Sequence, residues 1–275
     1  MKFELYRTDC KKPFFSHEAP GNTLVKTLEE AVRQGVSMER IDLGGRDISG
    51  ARLAGAELYK ANMRGIHGTE CDFSGAILEG ADMCHGAIMG AKFIGARMTD
   101  SKLIRASAEK AIFDSASLGS ADLTGIYAPN GSFVDTYFKR AVLTKGLFLS
   151  ADFTKAYMRG ANMTLASFAW AKFIKACLTR ANLEGSAFNK ADFTQARYGE
   201  ASMALGVLTI AGLGYPVYIF DNHLRIGCQL RTTEEWLSFT DLDACKYDPS
   251  SKALDVFQSH RDFLIAVAKA HQQSE

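Results

Sequence analysis

The sequence of 275 residues lacks both a strong charge imbalance and a long apolar run. Its 32 basic and 31 acidic side chains nearly cancel, so overall charge does not indicate nucleic acid or an acidic substrate as a partner. No stretch approaches eighteen uninterrupted apolar residues, which excludes a membrane-spanning helix. The first residues also lack the apolar segment of a secretory signal, and we therefore expect a cytoplasmic protein.

Motifs of catalytic and metal sites are also missing. The six cysteines show no paired spacing, and we expect free thiols in a reducing cytosol. No glycine-rich loop has a phosphate-binding context, and no serine lies in a nucleophile elbow. Cys84 and His85 alone cannot complete a zinc site, which needs about four ligands. These absences predict a protein that is not an enzyme and uses no metal or other cofactor.

The sequence does contain a strict period of five residues. From Leu43 to Leu208 every fifth residue is large and apolar, with Gly68, Ala108 and Ala128 as exceptions. A small residue precedes most of these 34 positions by two, and in 22 cases it is alanine. This period fits neither an α-helix nor the alternation of a strand. It predicts a coil in which each unit points two side chains inward: the large apolar one, which we call the centre, and the small one. At the fifth residue of each unit the chain changes direction.

Units such as residues 51–55 (ARLAG) and 121–125 (ADLTG) resemble the pentapeptide-repeat family, whose consensus is A-(D/N)-L-x-x. The resemblance implies an all-β solenoid. Its form would be a right-handed quadrilateral β-helix with four units in each coil, or about 8.5 coils for the 34 units.

A coil of twenty residues would sort the large centres into four unequal faces. One face would form a stacked aromatic ladder, made of Phe73, Phe93, Phe113, Phe133, Phe153, Phe173 and Phe193. The three undersized centres all fall on another face. Ile66 and Ile126 at the neighbouring small positions compensate for two of them, because a close-packed core conserves volume. Residues 106–108 have no such compensation, which predicts a local void or a distorted coil.

The chain divides into three parts. In residues 1–40 the sequence predicts a strand and a helix that cap one end of the solenoid. Asn22 or Thr23 would be the N-cap of this helix, and Gly35 would end it. Residues 41–213 are the β-helix, and residues 214–275 predict a hairpin followed by helices. The last part resembles the C-terminal extension of pentapeptide-repeat proteins from bacteriophages and prophages, which implies a bacterial host cell. We expect it to cap the second end or, as the alternative, to form a homodimer.

Function must then lie in the outward residues, and two sets depart from the consensus. Apolar side chains occupy polar positions on the face of Phe148, and tyrosines do so on another face. The first set comprises Tyr127, Leu147, Leu149 and Trp170, and the second comprises Tyr59, Tyr137 and Tyr157. Such patches are typical of protein-binding sites. The alternatives are that a terminal segment covers them or that they are ordinary scattered apolar surface.

The second departure is a basic collar in residues 139–190. It consists of Lys139, Arg140, Lys145, Lys155, Arg159, Lys172, Lys175, Arg180 and Lys190, against the acidic Asp152 and Glu184. Their spacing distributes them over several corners of the coil. We interpret them as a solvated collar and do not expect nucleic-acid binding.

The resemblance offers one known mechanism, because some family members protect DNA gyrase from quinolones by resembling duplex DNA. That mechanism requires a strongly acidic rod, whereas residues 41–213 hold 19 basic and 16 acidic side chains. We therefore favour a non-catalytic, phage- or prophage-encoded scaffold that binds a host or viral protein, for example to block a defence or DNA-processing enzyme. A DNA-mimic inhibitor of a topoisomerase or nuclease is the alternative, and a structural component of a virion is a further one.

Overall fold

The computed structural model describes residues 1–188, 190–192 and 196–197, the strand segments 208–210, 217–220, 223–226 and 229–232, and residues 261, 264 and 265. The chain begins with an antiparallel pair, β1 (Lys2–Leu5) and β2 (Phe15–Glu18), followed by helix α1 (Leu24–Arg33). Within these bounds the predicted N-terminal strand and helix are both present.

Helix α1 begins and ends as the sequence predicts. Thr23 is the N-cap, and its Oγ1 accepts a hydrogen bond from the backbone N–H of Lys26. Gly35 follows the helix with φ +64°, the left-handed conformation that ends many helices. The Glu29 carboxylate accepts a hydrogen bond of 3.0 Å from the backbone N–H of Arg52. The helix is therefore fastened to the solenoid.

The solenoid consists of parallel bridges between residues twenty apart. They run from Asp42 with Asn62 to Cys177 with Arg197. From Leu43 to Leu178 each centre donates its N–H to the carbonyl nineteen residues later, as Leu53 does to Asp72 at 2.7 Å. This register establishes four five-residue units per coil. It already includes Met38, whose N–H donates to the Glu57 carbonyl.

The large centres fill the axis of the coil. Every centre from Leu43 to Phe188 is buried. The aromatic ladder extends from Phe73 to Phe173 with successive ring centroids 4.7 to 5.1 Å apart, while Phe193 lies outside the described residues. A second stack of Phe148, Phe168 and Phe188 meets the first edge-on. Both stacked and edge-on pairs are favourable aromatic geometries.

The undersized centres do not interrupt the backbone hydrogen bonds between neighbouring coils. Ile66 and Ile126 are fully buried beside Gly68 and Ala128, which confirms the exchange of large and small positions. At residues 106–108 the coil is regular, since the Ala108 N–H donates to the Tyr127 carbonyl at 2.7 Å. Of the two predicted alternatives, the distorted coil is therefore wrong, and the local void stays a prediction. Ladder hydrogen bonds join backbone to backbone, so a small side chain leaves them unchanged.

The fifth residue of each unit forms a corner with positive φ. Every corner from Arg40 to Lys190 has φ between +51° and +71°, whether or not it is glycine. This conformation costs an L-residue roughly 1 kcal/mol or more. The ladder must therefore impose the corner, because lysine, leucine and tryptophan adopt it as glycine does.

The C-terminal part contains an antiparallel sheet in chain order: β3 (Leu208–Ile210), β4 (Val217–Phe220), β5 (His223–Ile226) and β6 (Gln229–Thr232). The predicted hairpin is present as β4 and β5, with Phe220 opposite His223. Strand β6 was not predicted. Leu208, the last centre of the predicted register, pairs with Ile219 in this sheet.

Two helical residues of the tail, Leu264 and Ile265, are buried in the same hydrophobic cluster as the coil. The remainder of the predicted tail helices lies outside the described residues. The boundaries of the three parts stay predictions.

Serines at the small inward position give a first prediction. The Ser186 hydroxyl donates to the Met163 carbonyl, whereas the buried Ser101 hydroxyl has no hydrogen-bond partner within residues 1–188. We expect Ser101→Ala to raise the free energy of unfolding by about 1 kcal/mol and Ser186→Ala to lower it by about as much. Urea denaturation measures both, and a shift in the same direction would contradict the assignment.

A second prediction concerns Gly146, where nearby residues of the same coil leave no room for a Cβ. A Cβ there would lie 2.3 Å from Cε2 of Phe148 and 3.0 Å from the Leu143 carbonyl. Gly146→Ala should lower the free energy of unfolding by about 2 kcal/mol or more through overpacking. Gly119→Ala is the matched control, because its Cβ would meet Tyr137 at an ordinary 3.7 Å. Equal thermal denaturation of the two variants would refute this account.

Candidate functional site

The aspartates at the second position of each unit serve the turns. Their carboxylates accept a hydrogen bond from the backbone N–H two residues later, at 2.9 to 3.0 Å in Asp47, Asp72, Asp82, Asp122 and Asp152. Hydrogen bonds from Ser74 lower the pKa of Asp72. These carboxylates accept hydrogen bonds that stabilise the turns, which is the role that the sequence predicts for them.

Two of the described thiols, Cys71 and Cys84, are poorly suited to nucleophilic chemistry. Cys71 is buried and its Sγ donates to the Ile48 carbonyl, and burial raises the pKa of this thiol to about 11. Burial also raises the pKa of Cys84. Across the described part of the chain no group of three or more His, Cys, Asp or Glu side chains could hold a metal ion.

No helix in the described ranges is both long and apolar enough to cross a membrane.

The structure brings the first apolar set together on one side of the rod, which we call the leucine face: Tyr127, Leu147, Leu149 and Trp170. Tyr127 and Leu147 are paired across neighbouring coils. Both side chains are 47% exposed, Leu149 is 42% exposed and Trp170 is 52% exposed. Lys190 places its Nζ 5.7 Å from the centre of the Trp170 ring, so the tryptophan is bordered by a cation.

Leu165 belongs to this surface but sequence reasoning missed it. Its side chain is 58% exposed and lies over Gly185, where a Cβ would be 2.7 Å from Cδ2 of Leu165. The available signal was its corner position, because a large apolar residue there must point away from the axis. Leu165 extends the leucine face to the neighbouring corner, at the other edge of the same side from Trp170.

The tyrosines form a second surface, ten residues around the coil from the first and hence on the opposite side. We call it the tyrosine face: Tyr137, Lys139, Arg140, Tyr157 and Arg159. The rings of Tyr137 and Tyr157 stack with centroids 5.0 Å apart and planes within 5°. Tyr137 is exposed and Tyr157 is half-buried. Tyr59 lies on this side, but four coils before Tyr137, and the structure does not bring it to the pair.

The basic collar divides by its partners. Lys155 lies 3.9 Å from Asp135 and Lys172 lies 3.8 Å from Asp152. Lys139, Arg140, Lys145, Arg159 and Lys175 have no carboxylate within ion-pair distance among the described residues. Three of these five lie together on the tyrosine face. The sequence expectation of a scattered collar therefore holds for only part of it.

Charge is also uneven along the rod. Residues 41–135 carry 12 acidic and nine basic side chains, whereas residues 136–197 carry 10 basic and three acidic ones. In the column that begins at Arg52 the signs alternate, since Asp72 pairs with Arg52 on one side and Lys92 on the other. Over residues 41–192 no outward column has acidic residues in two neighbouring coils.

The repeat geometry agrees with a comparison of the sequence with known families. The profile described as pentapeptide repeats, in eight copies, matches residues 47–83, 90–126, 132–168 and 166–197, about half of the chain. The chain belongs to the pentapeptide-repeat family. Membership implies that the coil is a right-handed β-helix, and members of this family are generally non-enzymatic.

Solved pentapeptide-repeat structures are similar to part of the chain. HetL, involved in heterocyst differentiation regulation in the cyanobacterium Nostoc sp. strain PCC 7120, is 24% identical over 61% of this chain and 86% of its own, with a TM-score of 0.37. QnrB1, a plasmid-mediated fluoroquinolone resistance protein, is 18% identical over 57% of this chain and 74% of its own, with a TM-score of 0.43. No curated protein sequence matches significantly.

Thiol accessibility gives a third prediction. In the native protein at pH 8, iodoacetamide should modify exposed Cys10 at least about a hundredfold faster than Cys71, because Cys71 is buried and protonated there. The two rates should converge in urea. Peptide-resolved mass spectrometry measures them, and rapid native labelling of Cys71 would disprove the assignment.

Proposed function

We propose that this pentapeptide-repeat protein is a non-catalytic scaffold that binds another protein through the leucine face. Phage or prophage origin, a bacterial cytoplasmic location and action on a defence or DNA-processing enzyme are parts of the same proposal. The tail would cap the second end of the rod or, as the alternative, mediate homodimerisation.

The exposure of the leucine face carries this proposal. Five large apolar side chains, including Leu165, lie within about three coils of one another, and stacked strands rise about 4.8 Å per coil. Tyrosine and tryptophan are typical anchors of protein interfaces, and contiguous exposed apolar surface usually marks a binding site. A rigid coil holds these side chains at fixed spacing, which lowers the entropy lost on binding.

The charge distribution argues against DNA mimicry. A mimic needs regular negative charge along the rod, comparable to a phosphate backbone. Acidic residues do not follow one another along any outward column of residues 41–192, and residues 136–197 are strongly basic. An inhibitor of a topoisomerase or nuclease would therefore have to bind the enzyme by contacts other than the imitation of DNA.

The fourth prediction tests the leucine face with a matched control. Leu149 and Ile94 both occupy the fourth position of their unit and are 42% and 43% exposed, but Ile94 lies on another face. A protein captured from host lysate by the tagged full chain would be purified and titrated calorimetrically. We expect Leu149→Asp and Trp170→Ala each to weaken binding about tenfold or more, and Ile94→Asp to change it less than about twofold.

Circular dichroism and the melting temperature establish that each variant is folded. Equal affinities of Leu149→Asp and Ile94→Asp, whether retained or lost, would exclude the leucine face as the binding surface.

A further inference from the structure

The tyrosine face has positive charge that the described part of the chain does not neutralise. Lys139, Arg140 and Arg159 have no carboxylate within ion-pair distance there. Arg197 follows two coils after Tyr157 on the same side. Residues 136–140, 156–160, 176–180 and 196–197 contain no acidic residue. Charges on neighbouring coils, which rise about 4.8 Å, lie within the screening length of about 8 Å at physiological salt and therefore act together.

The stacked tyrosines determine which kind of anion fits. Their centroid spacing of 5.0 Å matches the rise of the coil, so the rings face one another along the rod and turn their edges and hydroxyls outward. One face of each ring is covered by the other tyrosine, and Tyr137 also lies over Gly119. Nucleic-acid bases bind by stacking on open ring faces. Carboxylates instead accept hydrogen bonds from hydroxyls and guanidinium groups.

We propose that the tyrosine face binds an acidic segment of a partner protein, and that it does so independently of the leucine face on the opposite side of the rod. Arginine guanidinium groups would hold carboxylates as charge-assisted, bidentate hydrogen bonds, and the tyrosine hydroxyls would donate to them. Three coil rises separate Arg140 from Arg197, about 14 Å in total. An extended segment of about four or five residues covers that distance.

The test compares charge reversals at two equivalent corners. Arg140 and Arg105 have φ +59° and +53°, and their Cγ atoms lie over Gly160 and Gly125 respectively. Only Arg140 belongs to the tyrosine face. Binding of a fluorescein-labelled hexaglutamate peptide to the full chain is measured by fluorescence anisotropy at about 50 and 200 mM salt. We expect Arg140→Glu to weaken binding about fivefold or more and Arg105→Glu less than about twofold.

A double variant tests the tyrosine hydroxyls without changing the charge. Tyr137→Phe with Tyr157→Phe keeps the stacked rings, and we expect it to weaken peptide binding about twofold to threefold. The affinity of the unmodified chain should fall as salt rises, since the contact is ionic. Retained binding by this double variant would remove the tyrosines from the proposal and overturn it.

Single-stranded and duplex oligonucleotides of about 15 nucleotides with the same label serve as the competing ligands. Tighter binding of either oligonucleotide than of hexaglutamate, with loss in Arg140→Glu, would overturn the proposal in favour of a nucleic-acid surface. No peptide binding, or equal effects of Arg140→Glu and Arg105→Glu, would also overturn it. Failure of the leucine face would appear only in Leu149→Asp and Trp170→Ala, so the two proposals are separable.

Discussion

The parallel ladder with its register of twenty residues is the constraint on which the rest of the structure depends. Each backbone N–H of the ladder has a partner in the coil before or after it, and no side chain is needed to complete the bond. Buried backbone groups must be paired, so the register cannot slip by one residue without turning the core outward. The aromatic stacks, the corner conformations and the positions of both surfaces follow from this arrangement.

The ladder also separates stability from binding. Inward positions are filled by alanine and large apolar residues, and these positions determine packing. Outward positions contribute little to the core, which leaves them free to vary. The leucine face and the tyrosine face therefore differ in chemistry although they rest on the same backbone geometry. One offers apolar anchors beside a cation, and the other offers hydroxyls and positive charge that no described carboxylate neutralises.

Much of the fold could be predicted from the sequence because its determinants are periodic. Local sequence patterns were sufficient to predict four features: the coil of twenty residues, the phenylalanine ladder, the cap of helix α1 and the β4–β5 hairpin. At residues 106–108 the alternative of a distorted coil is wrong, because side-chain volume does not determine the backbone hydrogen bonds, while the alternative of a void stays a prediction. Leu165 was missed because it lies at a corner, where the consensus specifies no residue type and an apolar side chain is therefore no departure from it.

The candidate surfaces were predictable only in part. Residue spacing placed Tyr127, Leu147 and Trp170 on one face, and the exposure of their side chains followed. Sorting the basic collar needed the structure, because ion pairing depends on side-chain conformation. Lys155 and Arg159 are both basic outward residues of neighbouring units, yet among the described residues only Lys155 has a nearby carboxylate, Asp135.

The corner conformation has a consequence for how such a chain changes length. Because every corner accepts glycine and larger residues alike, an insertion or deletion of one five-residue unit keeps the large centres pointing inward. It would nevertheless turn all later units by a quarter of the coil, so that Trp170 would leave the side of Tyr127. Only a gain or loss of a whole coil lengthens the rod and keeps each surface intact. A lineage of such proteins should therefore vary its surfaces in steps of five residues and its length in steps of twenty.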